Sequence, residues 1–523
     1  MTIVRTTSST SGSKPEGSGE MGTVISYQNT PDIFRFYFVA SNTGLTAQLV
    51  KVGRFVGVRE AGLVIAQVMN VVKINEYFLN ANTLNAHGTS SPLTSIFPVD
   101  QWEYMLCEAE VMGQFPDADP VNDGMCPNCG KMEKSVVPVS PGSAVRCVEP
   151  TLLENFLGLN GTSGLNLGTM EVEQIPVKVD LTKLVHKHLA ILAMSGAGKS
   201  YLVSVILEEI LRSETPMPPV IIVDTHGEYA QLLSNSKIQE ACPTARVEIL
   251  DGSFLQIGTP QLTIGSFFTY MHDMSPVQGR ELSRVFNELK AAKMRFDLKD
   301  LVAAIEADEK VPKKTKEALV GWLYELDRHG MFATTENPRL PEILKPNTVI
   351  VFNLAGLTSN TQKQIILDYF ASRAFYLRKN NAIPPFVLVI EEAHQFIPQA
   401  AASNAIATHT IETIAREGRK FFASLCLISQ RPVHLNTTIL SQCNTQIILR
   451  VTNPNDLDHI RSTSEKITGD SLKMIASLPV GHALIVGTAT NIPIFFTVRE
   501  REFLTEAKEA SLLDALDSYI KSG

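Results

Sequence analysis

Residues 191–212, ILAMSGAGKSYLVSVILEEILR, form an apolar run, a break at two glycines and then a helical pattern. A buried strand that turns through glycine into a helix aims the free N–H groups of the first helical turn into one concavity, which makes an anion site. Gly196 and Gly198 permit positive φ and let the backbone approach phosphate oxygens without a Cβ in the way. Lys199 is then placed for the β- and γ-phosphates and the Ser200 hydroxyl for Mg2+. The segment follows the pattern G-x-x-x-x-G-K-[ST] except at its first position, where Ala193 stands for Gly and leaves the tightness of the first turn open. The nucleotide set predicted here is Ser195, Gly196, Ala197, Gly198, Lys199, Ser200 and Tyr201, with Lys187 ahead of the strand as a further basic contact.

The same texture runs through the second two thirds of the chain. Apolar runs at 188–194, 220–225, 246–250, 348–354, 386–392, 423–429, 445–451 and 482–488 alternate with helical stretches, and several are apolar on both faces. Strands of that kind belong to a mostly parallel sheet covered by helices, an α/β architecture. Residues 262–345 carry helical periodicity and a basic run, KVPKKTK, and read as a helical insertion between two parts of the core, 161–261 and 346–505. Residues 22–160 differ: short β-branched runs separated by Gly, Asn, Thr and Pro read as a small β-barrel with a long polar loop at 115–145. The Ser-, Thr- and Gly-rich residues 1–21 read as a disordered tail, and 506–523 as a C-terminal helix or tail.

Hydrolysis requires a carboxylate for the metal shell and a group that orients water. FVLVIEEAHQFIP supplies both at the end of a buried strand, where ligands bind in open sheets: Glu391 for Mg2+ and Glu392 to polarise water. In DTHGEY, His226 is expected to shape the floor of the site. Downstream, IETIAREGRKFFASLCLISQRP predicts a helix ending in Arg416 and Arg419, then a strand ending at Gln430, placed to sense the γ-phosphate or water. Two readings of the arginines stand side by side. They are dipole partners of a helix C-terminus, or one of them reaches a neighbouring subunit's γ-phosphate, which requires a ring.

A net charge of −8 over 523 residues excludes a chain that wraps nucleic acid over its whole outer face, so any DNA site must be a local pore or groove. The longest apolar stretches run about nine residues, against roughly 20 for a membrane-spanning helix, and no membrane association is expected. Seven cysteines, an odd number with no secretory leader, indicate a reducing, cytoplasmic setting. CPNC, with Cys126 and Cys129, lies between Cys107 and Cys147. Free thiols, a disulfide or a four-thiolate zinc site are all open there, and zinc is not expected.

Taken together, HLAILAMSGAGKS, DTHGEY, VIEEAHQFIP, IAREGRKF, SQRP, LSQCNTQIILRVTNP and LPVGHALIVG resemble the HerA branch of the HerA/FtsK ATPases, in the family's order across most of residues 185–490. The N-terminal unit looks like that family's HAS barrel. The resemblance implies a RecA-like P-loop NTPase core and an ATP- and Mg2+-dependent homo-hexameric ring that threads double-stranded DNA. It also implies a nuclease partner, NurA-type in DNA end processing or another effector in antiviral defence. An alternative is an ATP-controlled ring scaffold that assembles and regulates such an effector without substantial DNA pumping. Coupling ATPases of conjugation and secretion share the core but usually carry membrane helices. By resemblance Glu392 is the catalytic acid and Arg419 the leading trans-acting finger, with Arg416 second. Three departures stand out: Thr225 before HGEY, expected to matter little; Lys187 in place of Arg; and KFFASL, which adds bulk after the finger helix.

Overall fold

The computed structural model describes residues 20–41, 48–60, 62–75, 103–115, 132–159, 164–234, 237–271, 273–399, 405–464 and 466–504, with single positions at 516, 520 and 521. The predicted tail, the middle of the 115–145 loop with Cys126 and Cys129, and most of 506–523 lie outside these residues. The chain divides into two compact units, residues 1–156 with 172–175, and residues 157–171 with 176–523.

The first unit is a closed antiparallel barrel. Its strands are β1 (Glu20–Ile25), β2 (Arg35–Ser41), β3 (Phe55–Glu60), β4 (Gly62–Asn75), β5 (Glu103–Phe115) and β6 (Ala144–Cys147), in the order β1-β2-β5-β4-β3-β6. Alternation along the strands sends Val24, Phe36, Phe38, Val58, Val68 and Val145 inward. Irregularities between Ile65 and Ala66 and between Val68 and Asn70 bend the long β4, as closure of a small barrel demands. The interior also takes Cys107, whose thiol donates to Met105 O (3.9 Å) and is pushed by burial up to about 12. Cys147 is exposed. A four-thiolate zinc site needs its sulfurs turned to a common point, whereas Cys107 lies in the barrel core and Cys147 at the surface. Among the described residues no group of three or more His, Cys, Asp or Glu side chains could hold a metal.

The second unit is built on one sheet. Its strands are β7 (Leu165–Thr169), β8 (Pro176–Val179), β9 (Leu189–Leu192), β10 (Val220–Asp224), β11 (Arg246–Asp251), β14 (Thr348–Asn353), β15 (Phe386–Ile390), β16 (Ala423–Ser429), β17 (Thr445–Ile448), β18 (His482–Gly487) and β19 (Ile494–Val498). A separate pair, β12 (Ile257–Gly258) and β13 (Phe332–Ala333), runs parallel beside it. Among the described residues the order is β11-β14-β10-β15-β16-β9-β17-β18-β19-β7-β8. From β11 to β17 every pairing is parallel, and from β17 to β8 every pairing is antiparallel. β10, β15 and β16 are buried along their whole length, which is why they read as unbroken apolar runs.

Helices α1 (Lys199–Arg212), α2 (Glu228–Leu233), α3 (Ile264–Tyr270), α4 (Pro276–Ala292), α5 (Leu298–Ala307), α6 (Lys313–Asp327), α7 (Asn360–Lys379) and α8 (Thr408–Glu417) complete the part that matters for the site. Helices α3 to α6 are the predicted insertion. Capping boxes at Thr263/Ser266, Ser275/Gln278 and Asp297/Asp300 start three of them, and Phe267, Phe286 and Phe296 meet edge to face at 5.4 and 5.6 Å. These aromatic residues belong to the same contiguous core as the sheet residues Ile221, Phe352 and Leu388. The basic run lies at the start of α6, where Lys313 and Lys314 are exposed and Lys316 donates to Glu306 O (2.7 Å). Among the described residues no helix is long and apolar enough to cross a membrane.

Candidate nucleotide site

The parallel order puts the tips of β15, β16, β9 and β17 side by side, with β9 between β16 and β17. Past Leu192 the chain keeps strand geometry for one more residue, since Ala193 N–H bonds Ser429 O (3.2 Å). Ala193 has no positive φ, whereas Gly196 (φ 73) and Gly198 (φ 98) do. The missing glycine at the head of the motif therefore costs nothing, because the left-handed residues fall at the two glycines that are present. Helix α1 then starts at Lys199 with no side-chain cap, which leaves its first-turn N–H groups for a ligand.

Lys199 is buried, and its ammonium meets Glu392 Oε1 at 3.2 Å and Glu391 Oε1 at 3.8 Å. Gln430, one residue beyond β16, donates its amide to the same Glu392 Oε1. The three predicted groups thus converge from three neighbouring strand tips. Glu392 sits in left-handed backbone (φ 46, ψ 47) ahead of a short 3-10 turn, Ala393–Gln395. For a residue other than glycine that conformation costs on the order of 1–3 kcal/mol and is typical of functional positions. It turns the chain sharply out of β15 and directs the carboxylate toward the phosphate loop.

Glu391 is wholly buried. Its Oε2 accepts from the Thr225 N–H (3.1 Å) and the Thr225 hydroxyl (3.2 Å), while Oε1 has no hydrogen-bond partner. Burial, and then the neighbouring Asp224, push its carboxyl up to about 8, with Lys199 pulling the other way. Thr225 is therefore not an idle departure: a proline there would remove both donors to Glu391. Asp224 is spent on the turn, accepting from Gly227 N–H and Ala230 N–H at 2.8 Å each, and Gly227 (φ 82) provides the left-handed step into α2. His226 is exposed and joins that turn through its backbone, its N–H meeting Asp224 Oδ1 at 3.4 Å.

Two contacts were not read from the sequence. The Ser200 hydroxyl donates to Glu228 Oε2 (2.6 Å), and His394 approaches Glu392 and Ser429. Both residues lie inside motifs quoted above, DTHGEY and EEAHQ, two to four positions past an acid that opens a tight turn, which was the available signal. Tyr201 faces elsewhere than expected: its hydroxyl accepts Arg501 N–H (3.0 Å) and its ring lies 4.3 Å from the Arg501 guanidinium. Ser195 and Gly196 are exposed and Ala197 is buried.

Arg416, Arg419 and Lys187 are not brought to this cluster within one chain. α8 leads into the start of β16, and Lys187 precedes β9, so all three lie at the opposite edge of the parallel sheet. The seven residues of β16 separate that edge from Gln430, about 20 Å of strand, which no arginine spans. Arg416 is exposed and pairs with Glu412 (2.5 Å), and Arg419 is exposed. At the end of α8 Phe421 packs edge to face on Phe375 (5.8 Å), and Phe422, the added bulk of KFFASL, lies 4.9 Å from the His186 ring. His188, fully buried, bonds Ala415 O through Nε2 and accepts Leu425 N–H at Nδ1, each at 3.0 Å, tying the start of β9 to α8 and β16.

A glycine-turned anion loop on the central strand, paired acids one strand removed and a glutamine on the strand between them define a P-loop ATPase with a RecA-like core. Residues 165–374 match the family model for the central domain of helicase HerA. The DNA double-strand break repair helicase HerA of Pyrococcus furiosus is 28% identical over 411 residues, covering 68% of this chain and 73% of that protein. Its counterpart in Sulfurisphaera tokodaii is 27% identical over 421 residues, covering 75% and 79%. The structure of VirB4 of Thermoanaerobacter pseudethanolicus, at 16% identity and a TM-score of 0.53, covers 66% of this chain and 99% of that one, a likeness of fold alone. Over most of its length the chain is thus similar to HerA helicases.

Proposed function

We propose that the protein is the ATP-hydrolysing subunit of a ring, six subunits by family resemblance, that moves double-stranded DNA through its centre. The observation that carries this reading is the convergence of Lys199 and Gln430 on one oxygen of Glu392. Lys199 pairs with Glu392 (3.2 Å). When ATP enters the loop, its phosphates take over Lys199 and the N–H groups of the α1 start, leaving Glu392 held by Gln430 alone and free to accept a proton. Glu392 then takes a proton from the attacking water while the water oxygen bonds to the γ-phosphorus and the β–γ bridging bond breaks; Gln430 holds the carboxylate in register. Mg2+ fits beside them, because Ser200 supplies a hydroxyl and Glu391 a buried oxygen without a hydrogen bond, 3.8 Å from Lys199. When bound it would neutralise charge on the β- and γ-phosphates.

The end-to-end separation within one chain is compatible with completion of the site by a neighbour, whose Arg419, or in second place Arg416, would reach the γ-phosphate. A pore lined by a few donors per subunit, repeated around the ring, is compatible with the chain's charge of −8. The relatives' role in double-strand break repair points to end processing with a nuclease, and defence against viral DNA would use the same motor. The decisive experiment measures ATP turnover of the parent and of Glu392→Gln, with and without linear duplex, alongside native mass. A ring whose turnover rises with duplex and vanishes in Glu392→Gln is expected. Undiminished turnover in Glu392→Gln would refute the assignment, and turnover indifferent to duplex would favour an ATP-controlled scaffold for an effector.

A further inference from the structure

Glu392 Oε1 has two donors, but Oε2 is buried and has no hydrogen bond of its own. An unpaired oxygen on a carboxylate whose side chain is only 4% exposed is costly. The nearest donor is His394 Nδ1, 3.3 Å away. The same nitrogen lies 3.2 Å from Ser429 Oγ, and that hydroxyl accepts Arg431 N–H (3.1 Å) at the tip of β16. A neutral imidazole nitrogen either donates or accepts. Nδ1 can therefore accept from Ser429 or donate to Glu392, but it cannot do both.

We propose that His394 is a positioning residue for Glu392, its Nδ1–H taking hold of Oε2 when Lys199 leaves Oε1 for the phosphates. This rests on the reading of Glu392 as the catalytic acid. The strained backbone of Glu392 and the turn at Ala393–Gln395 fix where the side chain starts, so the torsions of the side chain are its remaining freedom. With Lys199 gone, Gln430 is a single point of attachment and the carboxylate can rotate about it. A second donor on the other oxygen removes that rotation and keeps Oε1 aimed at water. Four charged or titratable groups act on the ring: Glu392, Arg431, His434 and Lys199. Burial, with Arg431 and Lys199 beside it, outweighs Glu392 and holds the imidazole below its ordinary range, so it is neutral and carries one N–H to assign.

The test compares kcat and KM for ATP of the full-length parent with His394→Ala, His394→Asn and Glu392→Gln, each first checked for binding of a fluorescent ATP analogue. Losing orientation of a reacting group costs roughly 10- to 100-fold. His394→Ala is expected to lose that much in kcat with KM within about twofold, since ground-state binding is untouched. The side-chain amide of Asn overlies Nδ1, so His394→Asn is expected to regain most of the loss. A His394→Ala kcat within twofold of the parent, or no recovery in His394→Asn, overturns the proposal while an inactive Glu392→Gln leaves the parent reading standing. An active Glu392→Gln overturns both.

Discussion

Replacing Glu391 by Gln isolates one proton. Its carboxyl is pushed from 4.5 up to about 8, chiefly by burial and then by Asp224. A carboxyl whose pKa is higher in the folded state binds its proton more tightly there than in the unfolded chain. The stability this contributes is whole below the unfolded pKa of 4.5 and is lost as pH rises toward 8. Across that window the slope is about 1.4 kcal/mol per pH unit, so from roughly pH 5.5 to roughly pH 7.5 this one group removes about 3 kcal/mol. Gln carries no titrating proton, and its carbonyl oxygen can still accept from Thr225. Urea unfolding followed by circular dichroism, in chelator and without nucleotide, should show the parent losing stability over this range more steeply than Glu391→Gln, with the gap growing steadily with pH. Lys199, Asp224 and Glu228 face the position in both proteins and cancel in the comparison. Parallel loss of stability in the two proteins would show that Glu391 does not carry the extra proton and that its oxygen without a partner is already ionised.

Two further outcomes follow from buried polar groups away from the phosphates. Glu208 on α1 is wholly buried and accepts from Arg499 (2.9 Å) and from the N–H groups of Glu502, Phe503 and Leu504 (2.8–2.9 Å). Glu208→Ala is expected to cost about 3–5 kcal/mol by stranding these donors and to open residues 499–504 to limited proteolysis; an unchanged cleavage pattern would rule out this latch. His188 is held neutral, burial pushing it down to about 4, so its contribution is whole above the unfolded value of 6.5 and is lost as pH falls toward 4. His188→Ala leaves Leu425 N–H and Ala415 C=O unpaired, at about 1–3 kcal/mol each. The thermal midpoint of the variant should be lower at neutral pH and less sensitive to acid than the parent's, and equal midpoints at neutral pH would contradict the strut.

The phosphate loop was legible because everything it needs is local: an apolar strand, two glycines for left-handed backbone, and a helix whose first turn lacks a cap. The parallel half of the sheet was legible for a similar reason, since strands covered on both faces must be apolar throughout. The antiparallel extension through β19, β7 and β8 was not anticipated. Its short segments, such as LNLGT and PVKV, carry no such run: LNLGT becomes a strand by pairing with β19, more than 300 positions away, and PVKV by pairing with LNLGT in turn.

What the amino-acid order determined by itself was therefore the chemistry on offer: which residues can cradle phosphate, which acids end a buried strand, and where arginines close a helix. Which of these meet was decided by tertiary structure. Strand order brought Lys199, Glu392 and Gln430 within bonding distance and set His394 between Glu392 and Ser429, while Lys187, Arg416 and Arg419 stay at the opposite ends of the strands they precede. The physical reason is that register and order in a sheet come from long-range burial and backbone pairing, which hold no fixed relation to spacing along the chain.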